Sequence, residues 1–158
     1  ALHSKCSKAA MSSRVRIPSP PPICYTLTMQ DSIFTKIIKG EIPCHKIYED
    51  EKTFAFLDIH PVADGHTLVV SKKQVEFLWD LDGDDYDAVM KTAKKVALRA
   101  REVFQVPYIG ERVIGTDVPH VHVHIIPFSD PHVMYEAADM QAEPDHERLA
   151  EIARKLVF

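Results

Sequence analysis

Apolar residues in this 158-residue chain follow two rhythms, and the rhythm changes from segment to segment. Ile33, Phe34, Ile37 and Ile38 repeat at helical spacing behind Asp31 and Ser32, either of which can cap the first turn, and Gly40 with Pro43 ends the run. Lys46–Glu49 and Thr53–Leu57 have strand composition and are divided by the polar Asp50-Glu51-Lys52 turn, which predicts a hairpin. After the loop 58–65, the β-branched run His66–Ser71 predicts a central strand. The clearest helix is Asp84–Phe104, where Tyr86, Val89, Met90, Ala93, Val96, Ala97, Ala100, Val103 and Phe104 recur every three or four residues. Its acids stand in the first turn and its bases follow, as the helix dipole favours. Two further strands, Glu111–Thr116 and His120–Pro127, and a last helix over Asp145–Val157 complete the pattern. The order lacks regular strand–helix alternation, so it predicts an α+β domain over residues 31–158 with a mainly antiparallel sheet. Trp79 is expected to pack against the core.

Residues 1–30 break both rhythms. They contain Pro18, Pro20, Pro21 and Pro22 among serines, with no apolar period, and this composition predicts a flexible tail. The tail reads either as an upstream extension before a start near Met29 or, from its Arg/Ser content, as an organellar transit segment. Charge sharpens the boundary. The formal net charge is −4, yet the tail holds Lys5, Lys8, Arg14 and Arg16 and no acid. Of 19 basic residues those four lie outside the body, leaving 15 basic against 23 acidic residues, a balance of −8. An acidic body does not suit long nucleic acid, whose phosphates need a basic surface. No apolar run reaches the roughly 18 residues of a membrane span. Three scattered cysteines, Cys6, Cys24 and Cys44, form no CxxC pattern, so neither a disulfide framework nor a cysteine zinc site is indicated, and a reducing, cytoplasmic setting is expected.

The chemistry is concentrated in Pro119-His120-Val121-His122-Val123-His124-Ile125-Ile126-Pro127. Side chains alternate along a strand, so His120, His122 and His124 share one face and Val121, Val123 and Ile125 the other. A row of imidazoles among apolar residues is costly unless each finds a partner. Two chemistries use such a row: a metal held by neutral imidazoles, or one imidazole acting as nucleophile on phosphorus while the others orient it. Spacing leaves both open.

The stretch His120–Ile126 resembles the His-Φ-His-Φ-His-Φ-Φ signature (Φ apolar) of the histidine triad (HIT) family. The likeness extends over Ser32–Pro43, Phe56–Ile59, Gly65–Val70 and Gly115, and favours the branch of histidine triad nucleotide-binding proteins. It implies a HIT-like fold with a five-stranded, mainly antiparallel sheet, one long helix, short N- and C-terminal helices, and a homodimer. It also implies a hydrolase that cleaves nucleoside phosphoramidates or related AMP-type conjugates without a metal or other cofactor. In that reading His122 attacks the α-phosphorus, the carbonyl of His120 fixes the tautomer of His122, and His124 and His66 line the phosphate. Asp58 accepts the ribose hydroxyls, Ile59 packs on the base, and Gly115, Thr116 and Asp117 sit near the leaving group.

Four departures from the family pattern bear on this reading. Ser32 and Thr35 occupy the Cys-x-x-Cys positions of many bacterial members, so no zinc is expected there. His60 replaces a common asparagine, and the Asn-containing loop before the triad strand is reduced to Glu111-Arg112-Val113-Ile114-Gly115. Asp117 stands where a hydroxyl is typical; an ionised carboxylate only accepts hydrogen bonds. The competing readings are a dinucleoside polyphosphate hydrolase, a nucleotide-binding scaffold with incidental hydrolysis, and a metal-dependent hydrolase using His120, His122, His124 and His66.

Overall fold

A computed structural model of the chain describes residues 30–158; the expected tail, apart from Gln30, lies outside the described residues. Three α-helices and five strands follow in the order α1 (Ile33–Ile38), β1 (Lys46–Glu49), β2 (Thr53–Leu57), β3 (Thr67–Ser71), α2 (Gly83–Phe104), β4 (Tyr108–Arg112), β5 (His122–Phe128) and α3 (His146–Leu156). The strands form one fully antiparallel sheet, ordered β1-β2-β3-β5-β4. This is the expected α+β, HIT-like arrangement.

The helix ends follow the capping chemistry of the sequence. Ser32 caps α1, Asp82 caps α2 and Asp145 caps α3, each accepting a backbone N–H three residues on. Gly40 leaves the α1 turn at φ 78°, a region that favours glycine.

The sheet separates two cores. On one face Ala55, Leu57, Val69, Val121, Val123 and Ile125 pack against Val89, Ala93, Val96 and Ala100 of α2 and Leu149, Ile152 and Leu156 of α3. On the other, Phe54, Phe56, Leu68 and Val70 pack against Phe34 and Ile37 of the short α1. Ladder partners project to the same face. Val70 stands opposite His122 and Leu68 opposite His124, so the histidines belong to the α1 face. α1 has only six residues; on this face Phe54, Phe56, Leu68, Val70 and His122 are buried and His124 is half-buried.

Three expectations are corrected. The fourth strand runs over Tyr108–Arg112 rather than Glu111–Thr116. Gly110 lies inside it, where a Cβ would come 2.1 Å from Met134 Sδ, so the glycine leaves room for the Met134 side chain of the segment after β5. The chain then turns at Gly115 (φ 73°), which ends the extended run. The fifth strand begins at His122, because His120 N–H donates to Val118 O in a bend and Val121 N–H to Val75 O. Trp79 is exposed (79%), while its neighbour Leu78 fills the core position. Among the described residues, no helix is long and apolar enough to cross a membrane.

Candidate active site

Four histidines meet where β3 and β5 run side by side. His120 comes from the bend before β5, His122 and His124 from β5, and His66 from the residue preceding β3. His120 and His122 both lie edge-on to Phe34, with ring centroids 5.9 and 5.1 Å away, and His122 and His124 are 5.1 Å apart. The shared face read from the alternation is therefore present, although His120 reaches it from outside the strand.

Their hydrogen bonds set each ring's tautomer. His122 Nδ1 lies 2.7 Å from the carbonyl oxygen of His120. A carbonyl only accepts, so Nδ1 carries the proton and Nε2 keeps its lone pair. His120 Nε2–H donates to Ser71 O at 2.7 Å, which leaves its Nδ1 to accept from Ser32 Oγ at 2.7 Å. His66 Nδ1 accepts from Val62 N–H at 3.4 Å, so its Nε2–H faces His124 Nδ1 at 2.9 Å. His124 accordingly holds its proton on Nε2. One nucleophilic lone pair and one donor N–H are thus the free ring functions of β5.

Burial favours the neutral form of His66, His120 and His124. It pushes His66 down to about 3, with His124 and Arg112 adding repulsion. His124 is pushed down to about 4 by burial, then by His122 and Arg112; Asp117 acts in the opposite direction but is outweighed. His120 is lowered mainly by burial, against the support of its bond to Ser71 O.

Asp58 serves two purposes. Its Oδ1 accepts His60 N–H at 2.9 Å, a local turn, while Oδ2 lies 3.7 Å from His66 Nε2. Burial raises its pKa, opposed by His60, His122 and Arg112. Ile59 next to it is exposed and lines a cavity of about 190 Å³ with His60, Pro61 and Leu149. His60 Nδ1 is buried without a partner among the described residues. Gly115, Thr116 and Asp117 form a turn whose two side chains are exposed, with Thr116 Oγ1 donating to Asp117 Oδ1 at 3.3 Å. Asp117 is near enough to act on His124, so this turn borders the histidine row.

The triad itself does not converge on a metal, since both ring nitrogens of His120 and one of His122 are engaged within the protein. A different set, Asp58, His66 and His124, presents ligand atoms within 4.8 Å of one another.

Two features escaped the sequence. Ser32 and Thr35 stand with Gln74 in a closed network behind His120. Ser32 N–H and Thr35 Oγ1 both donate to Gln74 Oε1, at 2.9 and 2.6 Å, and Thr35 N–H donates to Ser32 Oγ at 3.1 Å. Gln74 is 42 residues from Ser32, and His120 is 88 residues from it, separations no local pattern reveals. The second is Arg112, which stands opposite His124 in the β4–β5 ladder with its Nε buried and unpartnered among the described residues.

A family model described as HIT domain matches residues 39–130, which include all four histidines. A HIT-like protein of Borreliella burgdorferi is 39% identical over 106 residues, covering 63% of this chain and 76% of its own length. The adenosine 5'-monophosphoramidase of Saccharomyces cerevisiae is 32% identical over 126 residues, 79% of this chain and 80% of that protein. The crystal structure of a Hit-like protein from Bartonella henselae matches with a TM-score of 0.71 at 34% identity, covering 80% of this chain and 93% of that one. The matched segment exceeds half of the sequence and contains the histidine row: the chain belongs to the histidine triad family.

Proposed function

We propose that the protein is a nucleotidyl hydrolase that cleaves nucleoside phosphoramidates and related AMP-type conjugates through a covalent nucleotidyl-His122. The observation that carries this reading is the 2.7 Å contact between His122 Nδ1 and His120 O, which leaves the lone pair on Nε2 and so supports it as the nucleophile. The resemblance to the yeast phosphoramidase over four-fifths of both chains supports the substrate class.

In the first step the His122 Nε2 lone pair forms a bond to the α-phosphorus as the phosphorus–nitrogen bond of the substrate breaks. The leaving nitrogen takes a proton from solvent, which reaches it at the exposed Gly115–Asp117 turn, and departs as an amine. The adduct is an imidazolium whose Nδ1–H still points at His120 O, so the carbonyl dipole offsets the new positive charge. Water then attacks phosphorus, the bond to Nε2 breaks, and the nucleoside monophosphate leaves. His124 Nε2–H donates to a phosphate oxygen, with His66 behind it as the donor that holds its tautomer. Asp58 Oδ2 accepts from the ribose, and Ile59 offers an exposed apolar surface to the base. No step assigns a role to a metal.

The proposed working unit is residues 31–158, acting as a homodimer. The outer edge of β4, unpaired among the described residues, with exposed Tyr108 in the strand and exposed Val113 and Ile114 after it, supports association through this strand.

A substrate panel tests the assignment. Adenosine phosphoramidate and lysyl-adenylate are expected to turn over faster than dinucleoside polyphosphates, with no loss in EDTA. Loss of all turnover in chelator, restored by zinc, would overturn it in favour of metal chemistry at Asp58, His66 and His124.

A further inference from the structure

Binding a nucleotide phosphate requires compensation of its negative charge, and the histidine row provides little. His66, His120 and His124 are all held neutral by burial, so they contribute dipoles and N–H donors but no full positive charge at neutral pH. Asp58 places a carboxyl group beside the row. The body of the protein is acidic, so no broad positive surface exists to assist.

One cation does face the site. Arg112 ends β4, and its ladder partner is His124, so its side chain projects to the histidine face. Its charge is felt at Asp58, His66 and His124, which places the guanidinium in the same neighbourhood as all three. Several other basic side chains are paired with carboxylates: Lys72 with Glu49 at 2.8 Å, Lys73 with Asp82 at 3.0 Å, and Arg148 with Asp64. Arg112 is different. Among the described residues it has no carboxylate within ion-pair distance, and its buried Nε has no hydrogen-bond partner. A half-buried guanidinium without a partner carries an uncompensated desolvation cost. Such a cost is offset when an anion binds, and a planar fork of N–H donors fits two phosphate oxygens at once.

We propose that Arg112 binds the nonbridging oxygens of the nucleotide α-phosphate beside His124, and thereby makes the site discriminate phosphorylated nucleosides from nucleosides. The proposal rests on the nucleotide reading above and adds the residue that supplies the site's positive charge. During attack by His122 the guanidinium stays on the phosphoryl oxygens, so it also opposes the charge that builds there in the transition state.

Calorimetric titration with AMP and with adenosine tests this on the full chain. Wild type is expected to prefer AMP. In Arg112→Gln, AMP binding weakens by at least about tenfold, the lower range for a charge-assisted hydrogen bond. Adenosine binding, carried by Asp58 and Ile59, changes less than about twofold. Arg112→Lys restores most of the AMP preference, and Arg112→Met, which keeps the aliphatic stem, repeats the comparison if the glutamine variant unfolds. An AMP-to-adenosine ratio unchanged in both neutral variants overturns the arginine assignment and leaves the nucleotide reading intact. Wild type that binds neither compound overturns the nucleotide reading, and this proposal with it.

Discussion

Alternate residues of β5 live in two environments that obey different rules. Val123 and Ile125 point at α2 and α3, where burial is complete and any well-shaped apolar neighbour satisfies them. His122 and His124 stand on the α1 face, where Phe34 lies edge-on to the His122 ring and each ring nitrogen must be assigned to a named donor or acceptor. The valine face is held by area and volume, which are tolerant. The histidine face is held by directed bonds, where moving one proton of His122 to the other ring nitrogen would remove the free lone pair on Nε2. One strand can host both because its pleat sends neighbours to opposite sides. Stability and chemistry are thereby separable by mutation.

The sharpest separation comes from His122→Ala, which is expected to lower turnover of adenosine phosphoramidate by on the order of 10⁴-fold or more, as for loss of a covalent nucleophile. Steady-state assays beside thermal unfolding check this; the variant should stay folded. Across the strand, Ile125→Ala is expected to cost about 2–5 kcal/mol of stability through lost burial and a residual cavity, with kcat of the folded protein largely kept. Denaturant titration and an active-site-normalised assay read the two quantities. If Ile125→Ala abolished kcat in fully folded protein, the two faces would not be independent.

Ser32→Ala probes the boundary between them. It removes the α1 cap and the donor to His120 Nδ1, at a cost of about 1–3 kcal/mol. Turnover should fall modestly, because the path from Ser32 to His122 runs through the His120 ring and carbonyl. Ser32→Thr, which keeps a hydroxyl, should restore both.

Acid should weaken the histidine face, with His45, also lowered by burial, adding in the same sense. His66 and His124 are lowered to about 3 and about 4 from an unfolded value near 6.5. Between these limits the unfolded chain binds more protons than the folded one, so stability rises with pH there. It is therefore complete above about pH 6.5 and is lost as pH falls toward the folded values. Asp58, whose pKa is raised, acts in the opposite sense at the acid end, so the slope is read between pH 7 and 5. Melting temperatures should drop across that interval and stay level from pH 7 to 8, and His124→Asn should flatten the drop. The smallest effect is expected from deleting residues 1–28, which should leave specific activity unchanged.

The same contrast explains what was legible in the sequence. Periodicity exposes area-driven structure, so α2, β2 and β3 emerge from apolar spacing, and the strict alternation at 120–125 announces a two-faced strand. Directed bonds leave no such trace. Gln74 and Ser32 meet His120 only because the sheet brings distant segments together. The start of β4 is equally hidden, because Gly110 lies within the strand beside the side chain of Met134, a residue 24 positions later. Arg112 reads as an ordinary solvated base until the ladder pairs it with His124. Trp79 shows the converse: an aromatic residue in an apolar run whose neighbour, Leu78, takes the buried place.

The account turns on His122 Nε2 as the atom that bonds to phosphorus. Rapid acid-free quenching of wild type during turnover of adenosine phosphoramidate labelled at the α-phosphate, followed by peptide mapping, tests it directly. The label should be recovered as an acid-labile adduct on His122 and be absent from His122→Ala. Turnover without any trappable adduct, or label retained in His122→Ala, would contradict it.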